Sequence, residues 1–268
     1  MLARYCPCCS ASGTSIGLID LGESCNDAFE GRRMFSNTGI AVHYSSCSRC
    51  GHIWTACLDD WTARDFQDRI YNESYVLADP PFTYDRPARN SAMIDAMVGN
   101  FRRDLEILDW GGGDGLMARM LIERGFQNVI SCDPFYGDTP RFPDGTFDLV
   151  TCFEVVEHVP DQRGLFAELA RHTAADGAIL LSTLLQPPDI GELRLGWWYA
   201  RPRNGHIRLH SAKSLELCLS REGLRLKSLS GEMHVAYRDP ESPLVEALLS
   251  AKVHAPSLPP ARSLAEYS

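Results

Sequence analysis

The apolar residues from about Leu105 onward alternate between strand-like and helix-like patterns. LEILDW is typical of a buried strand, and LMARMLIERG has the 3.6-residue repeat of a helix that ends at Gly125. NVISCD, FDLVTCFEVV and AILLSTLL predict three more strands, with a helix through GLFAELARHTAADG before the last of them. This alternation predicts an α/β fold with a parallel sheet.

The first part of the chain has a different pattern, because GLIDLGE and IAVHYSSC predict short strands with turn residues around them. The following segment is polar, aromatic and interrupted by prolines, and it predicts a linker before the helix SAMIDAMVGNF. Near the end, the short amphipathic run PLVEALLSAK precedes Pro-rich sequence that we expect to be disordered. We therefore predict four parts: a small domain at 1–62, a linker and helix at 63–104, the α/β domain at 105–240 and a C-terminal tail at 241–268.

The ten cysteines are many for a protein of a reducing compartment, which suggests that some of them bind a metal. Two C-x-x-C pairs, in CPCC and in CSRCG, supply the four soft ligands of a closed zinc site: Cys6, Cys9, Cys47 and Cys50. Such a site leaves no position for substrate, so this zinc is expected to be structural. Three substitutions in the ligand set stay open: Cys8 for Cys9, and His43 or His52 for a thiolate. Reduced, buried cysteines are the alternative to a metal site.

The charge and hydropathy of the chain limit its partners and its location. Lys and Arg number 26 against 35 Asp and Glu, so the formal net charge of −9 disfavours a nucleic-acid-binding surface over the whole molecule. No run approaches the ~18 apolar residues of a membrane span, and the start lacks the apolar core of a secretory signal. We therefore predict a cytoplasmic protein with no membrane partner and leave its oligomeric state open.

A local excess of basic residues between Glu192 and Lys227 suggests an anionic acceptor, such as a nucleotide sugar, a phosphorylated glycan or an RNA end. The basic residues are Arg194, Arg201, Arg203, Arg208, Lys213, Arg221, Arg225 and Lys227. A solvated helix face is the alternative for part of this set. The adjacent Trp197, Trp198 and Tyr199 could stack on a sugar or a base, or they could belong to the core.

The strand LEILDW runs directly into the glycine-rich turn GGGDG, which opens the next helix. Glycines at such a turn let the main chain approach a ligand, and Asp133, about twenty residues further on, could accept both hydroxyls of a ribose. This strand, turn, helix and acidic strand end match a mononucleotide-binding βαβ unit. A turn without a ligand and a dinucleotide-dependent dehydrogenase are the alternatives.

Three motifs in order, LDWGGGDG, CDP and FDLVTCFEVVEHVPD, make residues 105–238 resemble the class I S-adenosylmethionine-dependent methyltransferases. The resemblance implies S-adenosylmethionine as cofactor and a Rossmann-like, doubly wound sheet of seven strands, with LRLKSL and MHVAYR as the final hairpin. It implies these cofactor-binding residues: Asp109, Gly111, Gly113 and Gly115 on the methionine side, Asp133 at the ribose, and Phe153.

The chain departs from that family after its second strand. Only Pro134 to Thr146 separates the second strand from FDLV, which is too short for the family's usual helix and third strand. We therefore expect the sheet to be trimmed at this edge, and Asp138 is a weak candidate for the acid that contacts the adenine.

The segment FEVVEHV places Glu154, Glu157 and His158 at positions i, i+3 and i+4, so a helical turn would direct all three to one side. The downstream loop RPRNGHIRLHS adds His206 and His210. Two carboxylates and imidazoles form an oxygen and nitrogen set that suits Mg²⁺ or Mn²⁺.

This arrangement resembles two metal-assisted families with an E-x-x-E-H segment, the 2′-O-methyltransferases of small-RNA 3′ ends and the ubiquinone-pathway O-methyltransferases. The resemblance to the RNA family implies a fourth metal ligand just before a helix, and His206 is the best positional match. Two alternatives need no metal: catalysis at Glu157, His158 and His206 with either histidine as general base, or a purely structural segment.

The N-terminal motifs CPCC, LIDLGESCNDAF and VHYSSCSRCGHIW resemble the zinc-binding domain of deoxysugar C-methyltransferases. This resemblance suggests a sugar acceptor, whereas the E-x-x-E-H resemblance suggests transfer to oxygen. We therefore predict an O-methyltransferase that acts on a hydroxyl of a sugar-containing or polyhydroxylated small molecule. The alternatives are a nucleotide-sugar C-methyltransferase, a 2′-O-methyltransferase of an RNA 3′ end, and a cofactor-binding scaffold protein that uses zinc for partner contacts.

Overall fold

The computed structural model describes residues 5–134 and 143–251 of the chain. Its strands are β1 (Gly13–Asp20), β2 (Ala41–Cys47), β3 (Ile53–Thr55), β4 (Glu106–Trp110), β5 (Asn128–Cys132), β6 (Phe147–Phe153), β7 (Thr173–Ser182), β8 (Arg208–Leu209), β9 (Arg225–Ser228) and β10 (Met233–Tyr237). Its α-helices are α1 (Cys25–Glu30), α2 (Ala63–Arg69), α3 (Tyr75–Ala78), α4 (Asp85–Val98), α5 (Leu116–Glu123), α6 (Gln162–His172), α7 (Ile190–Leu193), α8 (Ala212–Arg221) and α9 (Pro243–Ser250).

The larger sheet has the order β5-β4-β6-β7-β10-β9. The first four strands are parallel, and β10 is antiparallel to both of its neighbours. The chain moves from β4 outward to β5 and then returns to the other side of β4 with β6. This reversal is a topological switch point, where ligands of open α/β sheets bind beyond the carboxyl ends of the strands. The α/β fold with a parallel sheet, predicted from the alternating pattern, is confirmed.

One edge of this sheet agrees with the sequence-based expectation, since the predicted final hairpin forms β9 and β10. At the opposite edge lies β5, and the described residues contain no strand beyond it. Residues 135–142 of the short connection after β5 lie outside the described part of the chain. Seven strands are therefore reduced to six in the described part of the chain. Asp138 lies outside the described residues.

Helices cover both faces of the larger sheet, as in a doubly wound fold. Apolar residues of α4, α5 and α9 pack on one face, and those of α6 and α8 pack on the other. Most of the run PLVEALLSAK, predicted as part of a tail, lies in α9 (Pro243–Ser250), and its Leu244, Val245 and Leu248 are buried in the core. The Pro-rich end lies outside the described residues.

The boundary between α6 and β7 differs from the sequence-based prediction. The helix ends at His172, and the segment TAADG, predicted to be helical, begins the next strand. Thr173 pairs with Phe147 of β6, and a Cβ on Gly177 would lie 2.7 Å from the Asp148 carbonyl oxygen. Strand pairing and a close backbone approach therefore override the helical pattern at this position.

The smaller sheet has the order β1-β2-β3-β8, so the N-terminal strands pair with a strand from much later in the chain. Ile53 pairs with Leu209 and Trp54 with Arg208. Beneath this sheet, Tyr44 and Ile53 share a buried cluster with Trp197 and Ile207. The first 62 residues are thus joined to the rest of the fold through a shared sheet and a shared core. The four domain boundaries stay a prediction.

Candidate active site

A cavity of about 1130 Å³ opens at the carboxyl ends of β4, β5 and β6. The glycine-rich turn after β4, Asp133 after β5, and Phe153 and Glu154 at the end of β6 line one side of it. Residues from α1, from the segment spanning α2 to α4, and from the loop before β8 line the rest. The structure therefore brings the predicted cofactor motif and most of the E-x-x-E-H segment to one continuous space.

The backbone of the glycine-rich turn explains its composition. Gly111, Gly113 and Gly115 have φ angles of 78°, 58° and 76°, a region that side chains with a Cβ rarely adopt. Gly113 has nothing within 4 Å of the place where a Cβ would be, so its backbone faces open space. Gly112 was not predicted as a site residue, yet a Cβ there would lie 2.1 Å from Asp109 Oδ2 and 2.2 Å from Ser131 Oγ. The turn can therefore approach a ligand closely while the carboxylate of Asp109 packs behind it.

Gly112→Ala is expected to weaken binding of S-adenosylhomocysteine at least about tenfold, or ~1.4 kcal/mol. The added methyl group would displace Asp109 or Ser131 and move the turn. Calorimetric titration measures the affinity. Gly191→Ala is the matched control, because a Cβ there meets nothing within 4 Å. Equal affinities for the two variants would show that this turn does not shape the cofactor site.

Asp109 lies at the base of the turn and is 2% exposed. Thr151 donates to its Oδ1 at 2.9 Å, and Ser131 lies 3.4 Å from its Oδ2. Burial raises the pKa of Asp109 to about 7, and these hydrogen bonds only partly oppose the shift. The carboxyl is therefore poised between its neutral and ionised forms near neutral pH.

Asp109→Asn should make the stability of the cofactor-free protein less dependent on pH. A carboxyl whose pKa is raised on folding stabilises the fold at pH values below its unfolded pKa, and this contribution is lost as the pH rises through the folded pKa. Between about pH 4 and pH 8, the free energy of unfolding of the wild type should therefore fall by about 4 kcal/mol relative to that of Asp109→Asn. Urea unfolding of both proteins across this range measures the difference. A difference that is constant with pH contradicts the assignment.

Asp133 lies at the carboxyl end of β5 and accepts a hydrogen bond from the Gly113 N–H at 2.9 Å. This bond joins the glycine-rich turn to the acid predicted to bind the ribose. Phe153 lies half-buried at the end of β6 and lines the same cavity. The cofactor residues predicted from the sequence are therefore contiguous in space, and their individual roles stay predictions.

The segment after β6 is a tight turn and not the helical turn that would direct all three side chains of the E-x-x-E-H segment to one side. Glu154 has a φ of 53°, which interrupts any helical continuation of the chain, and the His158 N–H then donates to the Val155 carbonyl. The turn leaves Glu154 outside the close group that the other two residues form with His206. Ser182 donates to Glu154 Oε1 at 2.8 Å, while Glu157, His158 and His206 place one ligand atom each within 4.8 Å of one another. The structure thus brings three of the four predicted ligands into one group, with Glu154 beside it.

Tyr199 connects the two glutamates and was not predicted in this role. Its hydroxyl donates to Glu157 Oε1 and lies 3.4 Å from Glu154 Oε2. Burial and the nearby carboxylate of Glu154 raise the pKa of Glu157. The other oxygen, Glu157 Oε2, is buried and has no hydrogen-bond partner among the described residues. The sequence analysis singled out Tyr199, in the WWY run, as a stacking or core residue. Tyr199 and Glu157 are 42 positions apart in the sequence, and no local pattern predicts their contact.

The two histidines of the group differ in their hydrogen bonds. His206 Nδ1 lies 2.7 Å from the carbonyl oxygen of Tyr199, so Nδ1 carries the proton and Nε2 holds the lone pair. His158 Nδ1 is buried without a hydrogen-bond partner in the described part of the chain. Burial lowers the pKa of both imidazoles, so each is neutral at pH 7 and can accept a proton or a metal.

The basic residues that suggested an anionic acceptor are either buried or exposed, and none of them lines the cavity. Arg201, Arg203 and Arg208 are buried, and each donates to backbone carbonyls. Lys213, Arg221, Arg225 and Lys227 are exposed, as expected of a solvated face. Among the described residues that line the cavity, seven are acidic and two are arginines, and one of these arginines, Arg86, pairs with Asp79 at 2.7 Å. The charged residues that line the cavity are therefore mainly acidic.

The four predicted zinc ligands Cys6, Cys9, Cys47 and Cys50 form a buried cluster whose sulfur atoms lie within 4.8 Å of one another. Cys6 Sγ lies 3.6 Å from Cys50 Sγ, and Cys9 Sγ lies 3.3 Å from Cys47 Sγ. Cys9 and not Cys8 belongs to this cluster. His43 is engaged with Ser15 Oγ at 2.7 Å, and His52 is buried outside the set.

Within the described residues, no helix has both the length and the apolar character needed to cross a bilayer.

A sequence profile described as "Methyltransferase domain" matches residues 82–229 of the chain. The ubiquinone biosynthesis O-methyltransferase of Xanthomonas oryzae pv. oryzae (strain PXO99A) is 35% identical over 162 residues, covering 50% of this chain and 68% of the relative. The corresponding protein of Rickettsia akari (strain Hartford) is 26% identical over 179 residues, covering 54% of this chain and 70% of the relative.

Among solved structures, the magnesium protoporphyrin IX methyltransferase of Synechocystis PCC 6803 with bound S-adenosylhomocysteine has a TM-score of 0.46 and 18% identity, covering 68% of this chain and 97% of that protein. The profile match spans more than half of the chain and includes the glycine-rich turn, Asp133 and the E-x-x-E-H segment. The chain therefore belongs to the methyltransferase-domain family, and it is an S-adenosylmethionine-dependent methyltransferase.

Proposed function

We propose that the protein transfers a methyl group to a hydroxyl of an uncharged, aromatic small molecule, with assistance from a divalent cation. The observation that carries this proposal is the group of Glu157, His158 and His206 at the edge of the cofactor cavity. The curated relatives named as O-methyltransferases support transfer to oxygen.

The walls of the cavity support an uncharged aromatic acceptor. Aromatic residues continue outward from His158, since the Tyr71 ring lies 6.2 Å from the His158 ring and 5.2 Å from the Tyr75 ring. Trp198 and Phe29 line the same space and contact each other edge to face. Planar rings offset or edge to face on such a wall gain favourable contacts. The sugar acceptor suggested by the N-terminal resemblance has no comparable support, and neither does an RNA end.

The residues present fit a divalent cation. Glu157 Oε2 and His158 Nδ1 are buried without partners among the described residues, which is costly unless a ligand satisfies them. Glu154 and Glu157 share the Tyr199 hydroxyl, so two carboxylates lie close together where a cation would relieve their repulsion. Glu157, His158 and His206 would bind the ion. When bound, the cation would lower the pKa of an acceptor hydroxyl.

The residues of the chain itself would orient the acceptor and receive its proton. The carbonyl of Tyr199 fixes the His206 ring with Nε2 unprotonated, so this atom can bind the metal or accept the hydroxyl proton. Tyr44 anchors the same loop, because its hydroxyl donates to the His206 carbonyl at 2.8 Å. The glycine-rich turn would position the cofactor so that its methyl group faces the hydroxyl, which lowers the entropic cost of reaction.

Calorimetric titration of Mg²⁺ or Mn²⁺ into the S-adenosylhomocysteine-bound protein tests the proposal. We expect one binding event in the wild type and none in the Glu157→Ala, His158→Ala double variant. The same proteins are then assayed for methyl transfer to a vicinal diphenol, a monophenol and a sugar diol. Absence of metal binding in the wild type would exclude the cation, and transfer to the sugar alone would exclude the aromatic acceptor.

We also propose that the four-cysteine cluster holds a structural zinc ion. Tetrahedral zinc with four thiolates at about 2.3 Å places its sulfur atoms about 3.8 Å apart, close to the separations of 3.3 and 3.6 Å in the cluster. The four thiols are buried, and each C-x-x-C pair spans a tight turn. All four positions would be occupied by protein, so this zinc would hold the fold and take no part in methyl transfer.

A further inference from the structure

A second group of soft ligands lies next to the four-cysteine cluster. Cys8, His210 and Cys218 each place one ligand atom within 4.8 Å of the other two, and all three side chains are buried. Cys8 belongs to the same CPCC turn as two ligands of the first cluster, so neighbouring cysteines of one turn face two separate groups. Residues from the N-terminus, from the loop after β8 and from α8 meet there. We propose that Cys8, His210 and Cys218 form a second zinc site.

The hydrogen bonds of His210 leave one ring nitrogen suited to metal binding. Its Nε2 lies 2.8 Å from Gln162 Oε1, and the Gln162 amide is itself fixed because it donates to the Val156 and Val159 carbonyls. An amide oxygen only accepts, so Nε2 carries the proton and Nδ1 holds the lone pair. The hydroxyl of Ser214, 3.2 Å from Nδ1, also lies 3.0 Å from the Ser211 carbonyl to which it donates. Gln162 thus fixes the ring through Nε2–H, and an outer hydrogen-bond partner of this kind is typical of a metal-bound histidine.

His52 supplies a second, independent observation. Both of its ring nitrogens are buried without hydrogen-bond partners among the described residues, and the side chain is fully inaccessible. Its ring lies 4.6 Å from the His210 ring, centroid to centroid. A fully buried imidazole without a well-formed hydrogen bond is unfavourable, and it points to a ligand nearby. His52 lies outside the close group of Cys8, His210 and Cys218, so it would complete the site only if its ring moved toward them.

The donor set selects the class of metal. Two thiolates with one or two imidazoles form a soft, borderline set that favours zinc over magnesium or calcium. Binding would release the two thiol protons of Cys8 and Cys218 and leave the ring proton of His210 on Nε2. The site would connect the N-terminal turn to α8, which packs on the larger sheet. It does not depend on the proposed methyl transfer.

Elemental analysis and cadmium NMR test the second site on the full chain. After zinc loading under reducing conditions and gel filtration, Cys218→Ser should hold one zinc equivalent fewer than the wild type. Cys57→Ser should equal the wild type, because Cys57 is a partly exposed cysteine outside both groups. The ¹¹³Cd spectrum of the wild type should show one signal from four sulfur donors and another from mixed sulfur and nitrogen donors.

The outcomes separate this site from the first one. Equal zinc content in Cys218→Ser and wild type, or the absence of the mixed-donor signal in the wild-type spectrum, would overturn the second site and leave the four-cysteine site standing. A wild-type spectrum without either cadmium signal would overturn both sites. The wild-type spectrum decides the question even if Cys218→Ser fails to fold.

Discussion

Replacing Glu157 by glutamine is expected to lower kcat by roughly 10³-fold, while S-adenosylhomocysteine binds with unchanged affinity. Glutamine keeps the size of the side chain and an oxygen that can accept from Tyr199, but it removes the negative charge that a cation would need. Glu157 lies outside the lining of the cavity and beyond the cofactor motif, so cofactor binding should not depend on it. Single-turnover methyl transfer and calorimetry measure the two quantities.

Glu123→Gln is the control for this prediction, since Glu123 is an exposed residue near the end of α5. Its activity should match that of the wild type. If Glu157→Gln retains wild-type turnover, the E-x-x-E-H turn has a structural role only. If turnover falls but excess Mg²⁺ or Mn²⁺ restores it, the glutamate acts through the affinity for the cation, which agrees with its proposed role as a ligand.

Cys47→Ser is expected to lower the Tm by about 10 °C or more. The same substitution is expected to abolish turnover. A serine at this position would remove one ligand of the four-cysteine cluster. The cluster is bound to the rest of the fold by the Ser211 hydroxyl, which donates to the Cys50 carbonyl at 2.6 Å, and by Gln186, which donates to the Gly51 carbonyl at 2.8 Å. Its loss should therefore loosen β8 and the loop that carries His206.

Thermal unfolding and zinc content measured on the same samples check this second prediction. Cys57→Ser should leave both unchanged. Removal of zinc from the wild type with a chelator should lower the Tm at least as much as Cys47→Ser does, because it also empties the proposed second site, and added zinc should restore the Tm. A Cys47→Ser protein with wild-type Tm and full zinc content would show that the cluster is a set of reduced cysteines and not a metal site.

The sequence by itself determined the local elements of the α/β part. The βαβ unit around GGGDG was predictable, because strand runs, helical repeats and glycines at positive φ are properties of neighbouring residues. The four-cysteine cluster was predictable from two C-x-x-C pairs. His206 was found through a positional resemblance. Each of these signals lies within a short stretch of chain or in a fixed spacing.

Only the tertiary structure decided what distant residues do to one another. The E-x-x-E-H spacing would direct three side chains to one side of a helical turn, but the positive φ of Glu154 breaks the helix, and the Tyr199 hydroxyl contacts both glutamates instead. Arg208, counted as part of a basic patch, is instead buried against the Thr55 and Pro160 carbonyls. Charge counted along a sequence does not reveal such contacts, because the carbonyls that bind an arginine come from segments far away in the chain.

The same reason explains the contacts that no pattern indicated. Tyr199 meets Glu157, and Cys8 meets Cys218, across separations of 42 and 210 positions in the sequence. Pairing of β3 with β8 joins the N-terminal strands to the loop that carries the histidines. The sequence determined which chemical groups the protein carries and the local turns that present them. The packing of the two sheets decided which of those groups share a site, since burial and hydrogen bonding depend on neighbours that only the folded chain supplies.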